Sequence, residues 1–312
     1  MMREAFSRAL IELGSEREDL VVLDGDCSHS TRTYRFQRAY PDRFINAGIA
    51  EQNMVGMAAG MAKAGLVPVV CGFAAIMMHR AAEQLVQSLA YASANVKMIG
   101  HYAGFTAASE GAPHHSIADL ALVRSIPGMT ILCPVDDGDV DGCLRRALSI
   151  HGPVYLRLAR NPVAQRHDAD WVQCSGYRRS GREGSVAIVC IGAMSEIALQ
   201  TAAKLDELGV AAFVIALQQL KPLPDALLGE LSSESRMLIV TIEDHNVLGG
   251  LGGAIAEAFG ESEKPVLRFG IADEFTQSGN YDELLRGLKL APGDIAGNIV
   301  NALKAREIKE SV

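Results

Sequence analysis

Short apolar runs and longer segments of helical period alternate along almost the whole chain, and that alternation leaves few folds open. The runs "DLVVLDGD", "VPVVCGF", "VKMIGHY", "MTILCPV" and "PVYLRLAR" have strand length and are bounded by turn-forming residues. Segments such as "HRAAEQLVQSLAYAS" and "DVDGCLRRALSI" lie between them with helical spacing. Runs that are apolar throughout are buried on both faces, so the expected class is α/β with mainly parallel sheets. One such layer is complete by about Arg160, and a second begins at "SVAIVCIG" from Ser185. A chain of 312 residues has room for both cores. The stretch between them is polar, aperiodic and broken by Pro and Gly, so the expected organisation is residues 1–163, a linker 164–184, and residues 185–312.

Charge and apolar content narrow the class of partner. A net charge of −8 leaves no excess of Lys and Arg, so neither nucleic acid nor an anionic membrane surface is expected. The longest apolar run, "LVPVVCGFAAIMM", is too short to span a bilayer, and "MMREAFSRALIELG" at the N-terminus carries acids where a signal peptide is apolar. Six scattered cysteines without a C-x-x-C pair read as free thiols, not as a zinc site or a disulfide framework. The expectation is a cytoplasmic protein whose partners are small molecules or proteins.

One helix carries an anomaly. In "FINAGIAEQNMVGMAAGMAKAG", Glu51 is the one charge before Lys63 on a segment too slim and apolar for a surface. Such a helix is expected to pack on most sides and to bury its carboxylate. Glu51 then needs a partner or a raised pKa, unless it only complements the helix dipole. Other polar groups fall beyond strand ends, where ligands collect in open α/β sheets. "GDCSHSTRT" either holds a phosphate or polyol or is a Ser/Thr turn. His114 and His115 are proton carriers or helix-capping imidazoles, and Arg157 and Arg160 bind an anion or close a salt bridge. "GGLGGAIAEAFG" has Ile255 where a dinucleotide fingerprint needs its third glycine, so close helix–strand packing is expected there.

"RFINAGIAEQNMVGMAAGMAKAG", "EGAPHHSIADLALVRSIPGMTILCPVDD", "YLRLARNP" and "EDHNVLGGLGGAIAEAFGE" together resemble the C-terminal subunit of a split transketolase, over essentially the whole chain. The resemblance implies two parallel or mixed-sheet α/β domains, a thiamine diphosphate pyrimidine-binding domain followed by a transketolase C-terminal domain. It implies transfer of a two-carbon ketol unit from a ketose donor to an aldose acceptor, in carbohydrate metabolism. Members of the family hold Mg²⁺ and the diphosphate with a Gly-Asp-Gly motif and a downstream Asn; "LDGDCSHS" has an Asp-Gly-Asp without what should follow. The implied partner is therefore an N-terminal subunit carrying the diphosphate and Mg²⁺ module, in an α₂β₂ assembly acting on sugars or sugar phosphates. No metal ligand is expected on this chain. The alternatives are a decarboxylating thiamine enzyme, of the deoxyxylulose phosphate synthase or 2-oxoacid dehydrogenase type, and a non-catalytic regulatory subunit.

By the same resemblance, Glu51 hydrogen-bonds N1′ of the aminopyrimidine and drives the 4′-imino tautomer, whose nitrogen removes the thiazolium C2 proton. Phe73 packs the pyrimidine, with Ile76 where a stacking aromatic is usual, His79 where a Tyr occurs, and Asp26 as a further cofactor contact. His114 falls on the histidine that contacts the donor and is the second catalytic candidate. Glu110 replaces an Asp of that segment. Tyr102 sits where many transketolases have a phosphate-binding His, with His101 one position earlier, while Ser30 and Arg160 match phosphate contacts. This mixture implies an unusual substrate with an anionic or highly hydroxylated end.

Overall fold

The computed structural model describes all residues except 161–170, 182–183, 234–237, 262–263 and 311–312. The first half supplies strands β1 (Leu20–Asp24), β2 (Phe44–Asn46), β3 (Val67–Phe73), β4 (Lys97–His101), β5 (Thr130–Leu132) and β6 (Val154–Leu158). The second supplies β7 (Val172–Cys174), β8 (Tyr177–Ser180), β9 (Val186–Ile191), β10 (Ala212–Leu217), β11 (Gln219–Lys221), β12 (Leu238–Asn246) and β13 (Val266–Ile271). One sheet has the order β11-β5-β6-β4-β3-β1-β2, and the other β13-β12-β9-β10-β8-β7. Every residue of β1, β4, β6 and β9 is buried, as strands covered by helices on both faces must be. Helix Met2–Glu16 covers one face of the first sheet with Phe6, Leu10 and Leu13. Helix Glu51–Lys63 covers the other with Met54, Val55 and Ala58. The result is two mixed α/β sheets, in agreement with the expected class.

Three expectations need correction. Part of the supposed linker is structured: β7 and β8 pair antiparallel and extend the second sheet through β10, while 164–170 and 182–183 lie outside the described residues. Their polar sequences suit an edge, where one face meets water. The loop after β1 contains two short helices, Ser28–Thr31 and Tyr34–Ala39. The slim helix is not covered on most sides of this chain. Gln52, Asn53, Gly56 and Gly60 are exposed, and a Cβ placed at either glycine would meet nothing within 4 Å.

The halves are joined by contacts that periodicity does not reveal. Strand β11 leaves the second half to pair antiparallel with β5 of the first sheet. Arg157, on β6, donates to Asp119 at 2.8 Å and to Asp244 of β12 at 2.6 Å, all three buried. Burial alone would raise the Asp119 carboxyl; the guanidinium outweighs it and holds the group below its usual range. Replacing Arg157 by Met would leave both carboxylates buried without their cation. The expected loss is about 3–5 kcal/mol of unfolding free energy, measured by chemical denaturation.

Candidate functional site

Glu51 opens its helix behind Ala50, which provides no side-chain cap. The carboxylate is buried, and both of its oxygens accept from Nη1 of Arg80, at 2.9 and 3.0 Å. The partner that burial demands is therefore an arginine from the end of helix Ala74–Arg80, and the carboxylate is not spent on the N–H groups of its own helix. Residues Ile49–Asn53 and Arg80 line a cleft of ≈ 490 Å³ beside it.

A second cluster forms where β3, β4 and β6 end. Tyr102 follows β4 with φ of 62°, a left-handed conformation uncommon outside glycine. Its ring meets the edge of Phe73 at 4.8 Å and the Arg160 guanidinium at 4.7 Å. Its hydroxyl accepts from Arg3 Nη1 at 3.0 Å, and the same nitrogen reaches the Ser30 carbonyl at 3.3 Å. Arg160 also donates to Glu110 at 2.5 Å, and the His114 ring lies 6.1 Å from Phe73, edge to face. The structure thus brings together Ser30, Phe73, Tyr102, Glu110, His114 and Arg160. Two buried nitrogens of this cluster, His114 Nδ1 and Arg3 Nε, have no hydrogen-bond partner among the described residues. Such atoms are costly unless a ligand or water meets them.

The remaining candidates are placed differently. His101 points into the core: it is 1% exposed with its ring edge against Phe6, so it is corrected from a substrate contact to an interior group. Alternation along β4 puts His101 on the same face as Ile99, the one covered by helix Met2–Glu16. His115, weighed beside His114 as a proton carrier, has both ring nitrogens committed, to Thr276 Oγ1 at 2.5 Å and the Ala108 carbonyl at 3.1 Å. Both arginines close salt bridges, Arg157 with the buried Asp119 and Asp244 and Arg160 with Glu110. Asp26 is exposed and accepts from Asn46, while the buried acid of "LDGD" is Asp24, bonded to Thr31 and Thr33. Ile76 is half-buried, and His79 is exposed with Nδ1 on the Ala75 carbonyl. Among the described residues, no group of three or more His, Cys, Asp or Glu is placed to hold a metal ion. The glycine-rich turn before helix Leu251–Ala258 is filled from within: Glu243 accepts from the N–H groups of Leu251 and Gly252, where a nucleotide phosphate would otherwise sit.

Sequence reading passed over Arg3 and Arg80. Arg3 had a detectable signal, since a cation in the first turn of helix Met2–Glu16 opposes the helix dipole and needs another reason to be there. Arg80 had none, because its partner lies on a different helix.

Polar groups gathered beyond the carboxyl ends of parallel strands define an open-sheet α/β ligand-binding protein. The model for "Transketolase, pyrimidine binding domain" matches residues 1–165, and that for "Transketolase, C-terminal domain" matches 177–295. The "Putative transketolase C-terminal section" of Methanocaldococcus jannaschii is 36% identical, covering 97% of this chain and 96% of that one. A "6-deoxy-6-sulfo-D-fructose transketolase subunit" of Clostridium sp. MSTE9 is 35% identical, covering 94% and 92%. The solved structure "Split gene transketolase, inactive beta4 tetramer" superposes with a TM-score of 0.83 at 38% identity, covering 97% and 98%. By contrast, the chain spans about half the length of relatives named 1-deoxy-D-xylulose-5-phosphate synthase. The chain belongs to the transketolase family, as the C-terminal subunit of a split, thiamine diphosphate-dependent member.

The buried imidazole yields a test of stability against pH. Burial first, and then the charge of Arg3, push His101 down to about 3. Unfolded, it protonates near 6.5, so its contribution to stability is full above about pH 6.5 and is lost as pH falls toward 3. His101→Leu should flatten the fall in Tm between pH 6.5 and 4, measured by calorimetry.

Proposed function

We propose that this chain, with an N-terminal partner subunit, transfers a two-carbon ketol unit from a ketose to an aldose. The observation that carries this reading is a buried carboxylate at a helix start, Glu51, opening onto its own cleft. Thiamine diphosphate, when bound, supplies the electron sink for the transferred unit. Glu51 holds a proton against ring nitrogen N1′, shielded from water by its burial. Phe73 and Ile76 would offer apolar surface to the ring, and His79 and Asp26 would be further contacts. His114 presents Nδ1 to a hydroxyl or carbonyl of the donor. Mg²⁺ and the diphosphate are assigned to the partner subunit. The exposed Gly56 and Gly60 support close approach of another chain, and with it an α₂β₂ assembly, in the cytoplasm.

Arg3 and Arg160, with Ser30 and Tyr102, are the groups assigned to the substrate's anionic or hydroxylated end. The relative named for a sulfo-sugar supports a terminal anion. Relatives named as deoxyxylulose phosphate synthases favour decarboxylation as a second reading, but the end-to-end match to split-transketolase subunits favours ketol transfer.

Two variants test this reading in the reconstituted complex with Mg²⁺. Glu51→Gln keeps size and one acceptor but cannot exchange a proton, so turnover should fall by at least about 10²–10⁴-fold, with fold and assembly intact. Hydrogen–deuterium exchange at the cofactor's C2, followed by NMR, isolates the step; wild-type exchange in the variant would reduce Glu51 to a helix-end acid. Arg160→Ala should raise KM for the anionic substrate by the loss of about 1.5–3 kcal/mol of charged hydrogen bonding, with kcat little changed. An unchanged KM would make Arg160 structural.

A further inference from the structure

Arg80 does more than neutralise a buried acid. Its Nη1 lies against both Glu51 oxygens, so it occupies the edge of the carboxylate between them. The two members of the pair are unequal: the Arg80 side chain is 51% exposed and that of Glu51 is 9% exposed. If the pair opens, the guanidinium can turn to water and the carboxylate cannot. Both residues line the same cleft, so whatever enters it to reach Glu51 also meets Arg80. Arg80 is the last residue of its helix, and helical structure resumes at Ala82 after the single residue Ala81.

We infer that Arg80 is a latch on Glu51. It masks the carboxylate in the cofactor-free chain and yields it to the aminopyrimidine when the cofactor binds. The inference rests on the proposed function, which supplies the ring. Without the latch, Glu51 would be a desolvated charge with no counterion. With it, the free chain is stabilised and the cofactor binds only the fraction in which the pair is open, so apparent affinity falls by that fraction. Arg80 is thus a positioning residue, acting through Glu51. A purely structural arginine would have the opposite effect, since removing it would loosen the site and weaken binding.

The test uses Arg80→Met, which keeps the apolar stem and removes the charge, in the full chain. Calorimetric titration of thiamine diphosphate with Mg²⁺ into the reconstituted complex should show affinity tightened on the order of tenfold. Arg80→Lys should fall between Met and wild type. Independently, a double-mutant cycle of Glu51→Gln and Arg80→Met in the cofactor-free chain should show coupling on the order of tenfold in the unfolding equilibrium. Unchanged or weakened affinity in Arg80→Met, or absent coupling, overturns the latch while leaving the proposed function standing. A wild-type complex that binds no thiamine diphosphate overturns the proposed function itself, and the latch with it.

Discussion

Arg157 is a full charge taken out of water, and the geometry of the site depends on how it is compensated. Its guanidinium spans Asp119 of the first half and Asp244 of the second, and Nη2 also reaches the carbonyls of Ser116 and Asp244. Ser116 in turn donates its N–H to the Gly104 carbonyl, closing the loop that carries Glu110 and His114. Replacing such a buried pair with apolar groups is often neutral for stability, so its value here is specification of geometry rather than net energy. Gly104 is part of the same constraint. It has φ of +60°, and a Cβ there would lie 2.0 Å from Asp244 Oδ2. The loop can approach the second half this closely only with glycine at that point.

The second half therefore acts on the first without supplying a central site residue. Thr276 holds His115 by its ring, and Ser278 packs so close to Gly111 that a Cβ there would stand 2.6 Å from the serine Oγ. His115 is thereby fixed, while its neighbour His114 keeps a buried nitrogen without a partner among the described residues.

Much of this was legible from spacing alone. Continuous apolar runs announced parallel strands, and a lone acid on a slim helix left open a paired carboxylate, a raised pKa or a helix-dipole acid. What spacing could not supply was the identity of partners distant in sequence. Arg80 answers Glu51 from another helix, and Arg3 reaches Tyr102 across 99 positions. The polar β7 and β8 lacked the apolar content by which buried strands are recognised, because they form an edge. His101 and Tyr102 were both candidates for one subsite, and only the left-handed turn at Tyr102 decides that Tyr102 joins Arg160 while His101 stays in the core.

The two clusters share one electrostatic arrangement. Glu51 is covered by Arg80, and Arg160 is covered by Glu110, so neither of these two charges is left bare. The glutamate at 110 matters here, because its additional methylene relative to aspartate extends the carboxylate's reach toward the guanidinium. A neutral ligand that separated either pair would strand a charge that the pair had satisfied. A ligand that brings equivalent charge or hydrogen bonds can take the counterion's place at lower cost. Under the proposed reading, a group that brings a hydrogen-bond donor or positive charge would take Arg80's place on Glu51, and an anionic group would take Glu110's place on Arg160.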